Sequence, residues 1–214
     1  MRIIAGSLGG RRIAAPRGAN TRPTSDRVRE SLFSMLEHEG VLRDAWVLDL
    51  FAGSGALGLE AHSRGARRVD GVDSAAGAIA TFRENLASLG LAGTDAVHAH
   101  HRSVLAFLGA GRRALVGDGA DLPDGGRVVL ALLDPPYPLD EEELAEVLGA
   151  LADDWLAPGA IVVVERSVRS PEPVWPPGLE RFRHREQGET ALWFAEPVTE
   201  PVTEAAAESD ADGR

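Results

Sequence analysis

The feature that most constrains the fold is an apolar strand that runs directly into a glycine-rich turn. Residues 47–50 read Val-Leu-Asp-Leu, and residues 51–58 read Phe-Ala-Gly-Ser-Gly-Ala-Leu-Gly. Glycines in such a turn let the backbone approach a ligand that is held at the N-terminus of the next helix. The pattern therefore predicts the first strand and the cofactor loop of an α/β sheet that binds a nucleotide-like ligand.

The rest of the chain alternates between strand and helix patterns. Apolar strands that are separated by helices are typical of a mostly parallel sheet covered on both faces. Two extended runs around Gly188 predict an antiparallel hairpin that closes this sheet. We therefore expect a Rossmann-like α/β fold with a seven-stranded, mostly parallel sheet. The further predicted strands lie at 67–73, 94–99, 127–134 and 160–165, and the predicted helices lie at 56–64, 74–89, 102–109 and 140–152.

Composition divides the chain into one main domain with two appendages. Residues 1–40 predict a basic arm, with a small β-hairpin or extended segment followed by a helix. Residues 41–197 carry the strand and helix alternation. Residues 198–214 have almost no bulky apolar side chains and predict a disordered acidic tail, and the Gly- and Asp-rich stretch 109–126 predicts a surface loop.

Positive charge is concentrated at one end of the chain. The net charge is −11, but residues 1–30 contain seven arginines and two acidic residues, a local balance of +5. Arginine suits phosphate because its planar guanidinium can contact two oxygens at once. We expect this region to contact RNA phosphates, although a solvated basic terminus is the simpler alternative. The candidate contacts are Arg11, Arg12, Arg17 and Arg22.

Several classes of protein are excluded or disfavoured by composition. The chain has no cysteine, so disulfides and thiolate metal sites are excluded. No apolar run approaches the roughly 20 residues that a membrane-spanning helix needs, and the N-terminus does not resemble a secretory signal. We expect a cytoplasmic protein. His98, His100 and His101 are interpreted as exposed polar residues at a strand end, because no cluster of carboxylates completes a metal site.

The glycine spacing alone leaves two cofactors open. Gly53, Gly55 and Gly58 match the dinucleotide fingerprint, and Asp73 follows at the end of the second strand, where an acid can hold ribose hydroxyls. A Walker-type phosphate loop is excluded because the chain has no lysine. Asp49 favours S-adenosylmethionine, since a carboxylate there would repel a pyrophosphate and attract an ammonium and a sulfonium.

The most informative feature is the tetrapeptide Asp134-Pro135-Pro136-Tyr137, which ends the most hydrophobic predicted strand. Two prolines remove two N–H donors and leave carbonyl oxygens free to accept hydrogen bonds. Asp134 and the Pro135 carbonyl could hold the amino group of a nucleic-acid base and aim its lone pair at a methyl carbon. Tyr137 offers a face on which an unstacked base can lie.

These motifs together resemble the RsmD family, the bacterial 16S ribosomal RNA guanine-N2 methyltransferases. The resemblance spans residues 1–13, 22–33, 48–66, 72–79, the pair Asn85-Leu86 and residues 132–137. The segment Arg-Pro-Thr-Ser-Asp-Arg-Val-Arg-Glu at 22–30 is its strongest distinction from the DNA adenine methyltransferases. It implies S-adenosylmethionine as cofactor and guanine 966 of 16S RNA, in an assembled or partly assembled 30S subunit, as target. It also implies a monomer without metal. The implied cofactor contacts are Asp49, Ala52, Gly53, Gly55, Asp73 and Ser103, and Thr24 and Arg29 are implied as further cofactor-side or structural contacts.

Three other functions stay open at this point. A DNA adenine-N6 methyltransferase needs the same cofactor and the same Asp-Pro-Pro-Tyr chemistry. An NAD-dependent oxidoreductase could use the glycine fingerprint but would leave residues 134–137 without a role. A non-catalytic RNA-binding module with a degenerate cofactor site would bind no cofactor at all.

Overall fold

The structure, a computed structural model, describes residues 1–15, 26–116, 125–136 and 139–198. Seven strands of this described part form one sheet in the order β3-β2-β1-β4-β5-β7-β6. The strands are β1 (Trp46–Leu50), β2 (Arg68–Asp73), β3 (Val97–His101), β4 (Val128–Leu133), β5 (Leu156–Ser167), β6 (Leu179–Gln187) and β7 (Thr190–Pro197). The helices are α1 (Asp26–His38), α2 (Ala56–Ser63), α3 (Ala76–Leu89), α4 (Val104–Gly109), α5 (Arg113–Val116) and α6 (Glu141–Asp154).

The first five strands are parallel, and β7 lies antiparallel between β5 and β6. This arrangement confirms the predicted α/β fold with its C-terminal antiparallel hairpin. The chain moves outward from β1 to β3 and then returns to the other side of β1 with β4. The ends of β1 and β4 are therefore neighbours, with Leu50 opposite Leu133, and a ligand crevice is expected at this switch point.

Two hydrophobic layers cover the sheet, because successive side chains of each central strand point to opposite faces. Val47 belongs to the layer that also contains buried residues of α1, α2 and α3. Leu48 belongs to the layer formed with α4 and α6. Trp46–Leu50 is buried along its whole length, which explains why this strand reads as a continuous apolar run instead of an alternating one.

The N-terminal arm is anchored to the main domain by buried side chains. Arg2 and Arg12 form one antiparallel bridge, and Ile3 and Ile13 are both buried in the layer beside α1 and α2. The predicted hairpin is therefore present in residues 1–13. Thr24 and Ser25, which precede the following helix, lie outside the described residues.

Some predicted boundaries are wrong for identifiable reasons. β3 begins at Val97 instead of residue 94, because the turn 92–93 and the bend 95–96 precede it, and β5 extends over Leu156–Ser167 because β4 and β7 pair with its two ends. The predicted loop 109–126 contains the helix α5 and a buried Arg112, which donates to the carbonyl oxygens of Asp154 and Gly126. The predicted disordered tail lies outside the described residues beyond position 198. None of the described helices has the length and apolar character needed to span a bilayer.

Candidate active site at the carboxyl edge of the sheet

Asp49 lies one residue before the end of β1, with its carboxylate turned to the start of α2. Its Oδ2 accepts a hydrogen bond of 2.8 Å from the Gly58 backbone N–H. Its Oδ1 is closed to solvent and has no hydrogen-bond partner in the described part of the molecule. Because buried carboxylate oxygens are nearly always paired, this atom marks the place where a donor or a cation is expected to bind.

The turn after β1 adopts a conformation that suits glycine. Gly53 and Gly55 have φ angles of 57° and 79°, in the left-handed region that side chains disfavour. A Cβ on Gly55 would lie 2.2 Å from the Phe82 ring, whereas a Cβ on Gly53 would meet nothing within 4 Å. The backbone at Gly53 is thus open toward the edge of the sheet, and the turn is held tightly against α3 at Gly55.

Asp73 connects this turn to the end of β2. Its Oδ2 accepts from the Gly53 N–H at 2.9 Å, and its Oδ1 accepts from the Ala75 N–H at 2.8 Å. The helix α3 has Ala75 as its N-cap, so Asp73 lies just before the cap. Each oxygen retains a further lone pair. The arrangement leaves Asp73 able to accept hydroxyl donors while it also fixes the cofactor loop.

The motif at 134–136 follows β4 and lies beside the end of β1. The Asp134 N–H donates to the Leu50 carbonyl at 3.4 Å, and the Pro136 carbonyl accepts from the Leu139 N–H at 2.9 Å. Pro135 is buried and Pro136 is exposed. Tyr137, the predicted stacking residue, lies outside the described residues. The backbone is therefore fixed on both sides of two consecutive residues that offer no N–H donor.

The carboxylates of Asp49, Asp73 and Asp134 lie near one another at this edge, and the other two affect the pKa of Asp49, the most buried of the three. Burial raises the pKa of Asp49 from 3.8 to about 8, the hydrogen bond from Gly58 opposes the change, and the charges of Asp134 and Asp73 raise the pKa further. A site that holds three acids in this way favours a cationic guest, because the guest relieves both repulsion and desolvation. The geometry therefore favours a cationic ligand over a pyrophosphate.

Arg29 and Ser103, which were predicted as cofactor contacts, have hydrogen-bond partners within the protein. Arg29 is fully buried, donates to the Arg2 carbonyl and to Asp26, and lies 3.7 Å from Glu60. These contacts tie the arm to α1 and α2, so we interpret Arg29 as a structural residue. Ser103 is exposed and caps α4 by accepting from Ala106 at 3.3 Å. Ala52 is buried in the cofactor turn, and its carbonyl accepts from Gly55, while Thr24 lies outside the described residues.

The predicted RNA contacts are only partly described. Arg11 and Arg12 are exposed on the arm, and Arg11 donates to the Ser88 carbonyl at 2.8 Å. Arg17 and Arg22 lie outside the described residues. The histidine interpretation needs correction at two positions, because His98 and His100 are half-buried while His101 is exposed. His100 lies 2.8 Å from Asp70, a fully buried carboxylate. No group of metal-ligating side chains is assembled in the described ranges.

Sequence reasoning missed the function of two buried polar residues. Glu60 accepts from the N–H groups of Ile4 and Ala5, at 2.7 and 3.1 Å. Asn85 accepts from the Ala14 N–H at 2.8 Å and donates to the carbonyl oxygens of Ala14 and Ser54. Asn85 therefore joins the arm to the cofactor turn. A polar residue within an otherwise apolar helix face was the available signal in both cases.

Comparison with known proteins identifies the family. A family model described as Conserved hypothetical protein 95 matches residues 1–196. Ribosomal RNA small subunit methyltransferase D of Escherichia coli (strain K12) is 34% identical over 213 residues, which cover 99% of this chain and 94% of that protein. The chain belongs to this family. The resemblance to the RsmD family that the motifs predicted is thereby confirmed.

Solved structures agree with this assignment. A putative methyltransferase of Escherichia coli, yhhF, is 32% identical, with a TM-score of 0.72 and coverage of 92% of this chain and 97% of that one. The magnesium protoporphyrin IX methyltransferase ChlM of Synechocystis PCC 6803, solved with bound SAM, shares the fold with a TM-score of 0.57 at 14% identity, covering 80% and 79% of the two chains. The RsmD-family chain thus has the Rossmann-like fold of class I methyltransferases.

Proposed function

We propose that this RsmD-family chain is an S-adenosylmethionine-dependent methyltransferase that methylates the N2 amino group of a guanine in small-subunit ribosomal RNA, guanine 966 in 16S numbering. One observation carries the proposal. A buried carboxylate oxygen of Asp49 without a partner in the described residues lies on the strand next to the acceptor-only motif at 134–136. The name of the Escherichia coli relative, a small-subunit ribosomal RNA methyltransferase, supports the substrate class.

The residues at the crevice fit the cofactor. The unpartnered Oδ1 of Asp49 can accept from an α-ammonium, the backbone of Ala52, Gly53 and Gly55 can border its methionine end, and Asp73 can accept from ribose hydroxyls. S-adenosylmethionine, when bound, supplies a methyl group on a positively charged sulfur. A pyrophosphate would instead meet three carboxylates, which argues against the NAD alternative.

The motif at 134–136 is suited to hold an amino group. The carboxylate of Asp134 and the carbonyl of Pro135 can each accept one N–H of a base amino group, since neither proline offers a competing donor. Two acceptors in fixed positions hold the nitrogen and favour its pyramidal form, so that its lone pair becomes available. The proton that the nitrogen loses leaves through the hydrogen bond to Asp134.

Charge distribution supports RNA as substrate. The arm carries exposed Arg11 and Arg12 on a segment that Asn85 fixes to the cofactor turn. Phosphate contacts there would position the RNA relative to the crevice without reading its sequence. The acidic remainder of the chain would reduce indiscriminate binding to other nucleic acids.

Nucleoside mass spectrometry tests the proposal directly. The protein is incubated with labelled S-adenosylmethionine and with small-subunit particles, naked small-subunit RNA or double-stranded DNA. We expect N2-methylguanosine in the RNA of the particles, at one position. N6-methyladenosine in DNA, with no label in RNA, would replace the proposal by the adenine alternative, and absence of S-adenosylhomocysteine binding in calorimetry would point to a non-catalytic module.

The variant Asp134→Ala tests the catalytic assignment. We expect methyl transfer to fall below detection while the affinity for S-adenosylhomocysteine stays within a few-fold, because the change removes an acceptor for the amino group and no cofactor contact. Asp95→Ala, at an exposed carboxylate away from the crevice, is the matched control and should keep full activity. Efficient transfer by Asp134→Ala would refute the assignment.

A further inference from the structure

Buried polar atoms without partners lie at the start of α6 and on the strands β5, β6 and β7. In the described part of the chain, they include Nη1 of Arg166, Oε2 of Glu141, Nε2 of His184 and Nε1 of Trp193. Each of these atoms is closed to solvent and has no hydrogen-bond partner there. Native proteins pair nearly all buried polar groups, so a concentration of unpaired ones points to a guest that would satisfy them.

Strand register places Arg166 and Trp193 on one face of the sheet and brings the backbone of Arg166 close to that of Asp134. Leu133 ends β4 and pairs with Val164 of β5, which pairs in turn with Trp193 of β7. Arg166 follows two residues after Val164, so its side chain leaves the sheet on the same face as Trp193. With strands about 4.8 Å apart and residues about 3.3 Å apart, the Cα atoms of Arg166 and Asp134 are separated by roughly 6 Å.

Arg166 and Glu141 form an ion pair through one terminal nitrogen and one carboxylate oxygen. Nη2 of Arg166 donates to Oε1 of Glu141, while the second terminal nitrogen and the second carboxylate oxygen stay unpaired among the described residues. The Arg166 side chain is 8% exposed and that of Glu141 is 29% exposed, so the pair lies at the border of the core. Glu141 is the first residue of α6, the helix that follows the motif. The pair therefore presents one N–H donor and one carboxylate acceptor beside the proposed amino-group site.

His184 and Trp193 form an aromatic surface on the neighbouring hairpin of β6 and β7. The rings of His184 and Trp193 stack with centroids 3.8 Å apart and an interplanar angle of 19°. The two rings lie on the same face of the sheet as Arg166, because His184 is paired with Trp193 across the hairpin. Nε1 of Trp193 has no hydrogen-bond partner among the described residues, and Nε2 of His184 lies 3.8 Å from Oε1 of Glu186. A flat heteroaromatic guest with polar edges is the chemistry that such a surface suits.

We propose that Arg166 and Glu141 select guanine as the target base. The Watson–Crick edge of guanine presents an acceptor, a donor and a donor in succession, which are the 6-oxo oxygen, N1–H and the N2 amino group. Nη1 of Arg166 donates to the 6-oxo oxygen and Oε2 of Glu141 accepts from N1–H, while Asp134 accepts from the amino group. This assignment rests on the proposed function and names the side chains that determine its base specificity.

Adenine would not satisfy these two positions. For transfer to N6 its C6 amino group must lie at Asp134, so the unprotonated N1 would face the acceptor Oε2 of Glu141, and the C2–H would leave Nη1 of Arg166 without an acceptor. Polar groups that are buried and mismatched in this way are strongly disfavoured. The pair would thus make an enzyme with the Asp-Pro-Pro motif selective for guanine N2 over adenine N6.

The test compares two bases at the methylated position. Small-subunit particles are reconstituted with RNA that carries either guanine or 2-aminopurine there. 2-Aminopurine keeps the amino group at C2 but lacks the 6-oxo oxygen and N1–H. We expect the wild type to prefer guanine by at least about 100-fold in kcat/KM, since sites built to hydrogen-bond a group reject analogues that lack it. Equal rates on the two bases would overturn the inference.

Two variants and one control locate the source of this preference. Arg166→Met removes the donor and keeps an apolar stem, and Glu141→Gln replaces an obligate acceptor by an amide that can donate to N1 of 2-aminopurine. We expect both variants to reduce the preference to about 10-fold or less. Arg183→Met breaks an ion pair of 2.8 Å with Glu39, in which both side chains are about one third exposed, and should keep the wild-type preference.

Each remaining outcome decides between the two proposals. If the wild type methylates guanine and both variants keep its preference, the inference fails and the proposed function stands. If Arg166→Met raises KM for RNA and flattens its salt dependence at an unchanged preference, Arg166 contacts phosphate instead. If no small-subunit RNA is methylated by the wild type, both proposals fail. Binding of S-adenosylhomocysteine monitors folding, and Glu141→Gln decides the question if Arg166→Met does not fold.

Discussion

The raised pKa of Asp49 predicts that cofactor binding releases a proton. Burial and the neighbouring carboxylates raise this pKa to about 8 in the free protein, so the carboxyl is mostly protonated at neutral pH. An ammonium that binds at Oδ1 favours the ionised form and lowers the pKa. Binding is therefore coupled to loss of the Asp49 proton, and affinity should rise as the pH rises toward 8.

The magnitude follows from the titration curve. A group with a pKa of about 8 is roughly 90% protonated at pH 7 and roughly 10% protonated at pH 9. Binding at pH 7 should therefore release about 0.9 proton, and the dissociation constant for S-adenosylhomocysteine should fall about tenfold between pH 6 and pH 7. The effect should level off above pH 8, where Asp49 is already ionised.

Calorimetry in buffers of different ionisation enthalpy measures the released proton. The observed heat should vary linearly with buffer enthalpy at pH 7, with a slope near 0.9 for the wild type and near zero for Asp49→Asn. Asp95→Asn, an exposed carboxylate, should behave like the wild type. A buffer-independent heat for the wild type, together with a pH-independent dissociation constant, would refute the reasoning.

The same pKa makes a prediction for stability. Because the folded-state pKa of Asp49 lies above its ordinary value of 3.8, protonation favours the folded state. Its stabilising effect is complete below pH 3.8 and is lost as the pH rises through about 8. Asp49→Asn should therefore increase the free energy of unfolding at pH 8, by a few kcal/mol at most, and should have little effect at pH 4. Denaturant titrations at both pH values measure the difference.

Three further substitutions test the surroundings of the crevice. Gly55→Ala should lower the free energy of unfolding by about 2–3 kcal/mol in denaturant titration, because its Cβ would contact the Phe82 ring at 2.2 Å, whereas Gly53→Ala should cost only about 1 kcal/mol of backbone strain. Asn85→Ala should cost about 2–3 kcal/mol in the same assay, since it leaves buried backbone groups of the arm unpaired. Replacing Arg11 and Arg12 by Gln should reduce the slope of log affinity against log salt for RNA by about 1 per lost phosphate contact, with unchanged cofactor affinity; an unchanged slope would remove the arm from RNA binding.

Much of the site could be predicted because its residues belong to short contiguous motifs. Asp49 with the turn 51–58, and Asp134 with its two prolines, are each adjacent in sequence to the strand that positions them. The alternation of strands and helices then predicts parallel strands, which place their carboxyl ends at one edge of the sheet. Boundaries were less predictable at β3 and β5, because pairing with neighbouring strands decided where they begin and end.

The amino-acid sequence by itself determined the α/β class, the cofactor turn and the identity of the acceptor-only motif, because local spacing and backbone chemistry fix these features. Only the tertiary structure decided which buried polar groups lack partners. Arg29 turned out to join the arm to α2, and Asn85 to join it to the cofactor turn, through contacts between distant residues. Likewise, Arg166 and Glu141 are 25 residues apart, and only the pairing of β4 with β5 brings the backbone of Arg166 close to that of Asp134. Such relations depend on which strands are neighbours, which no local pattern encodes.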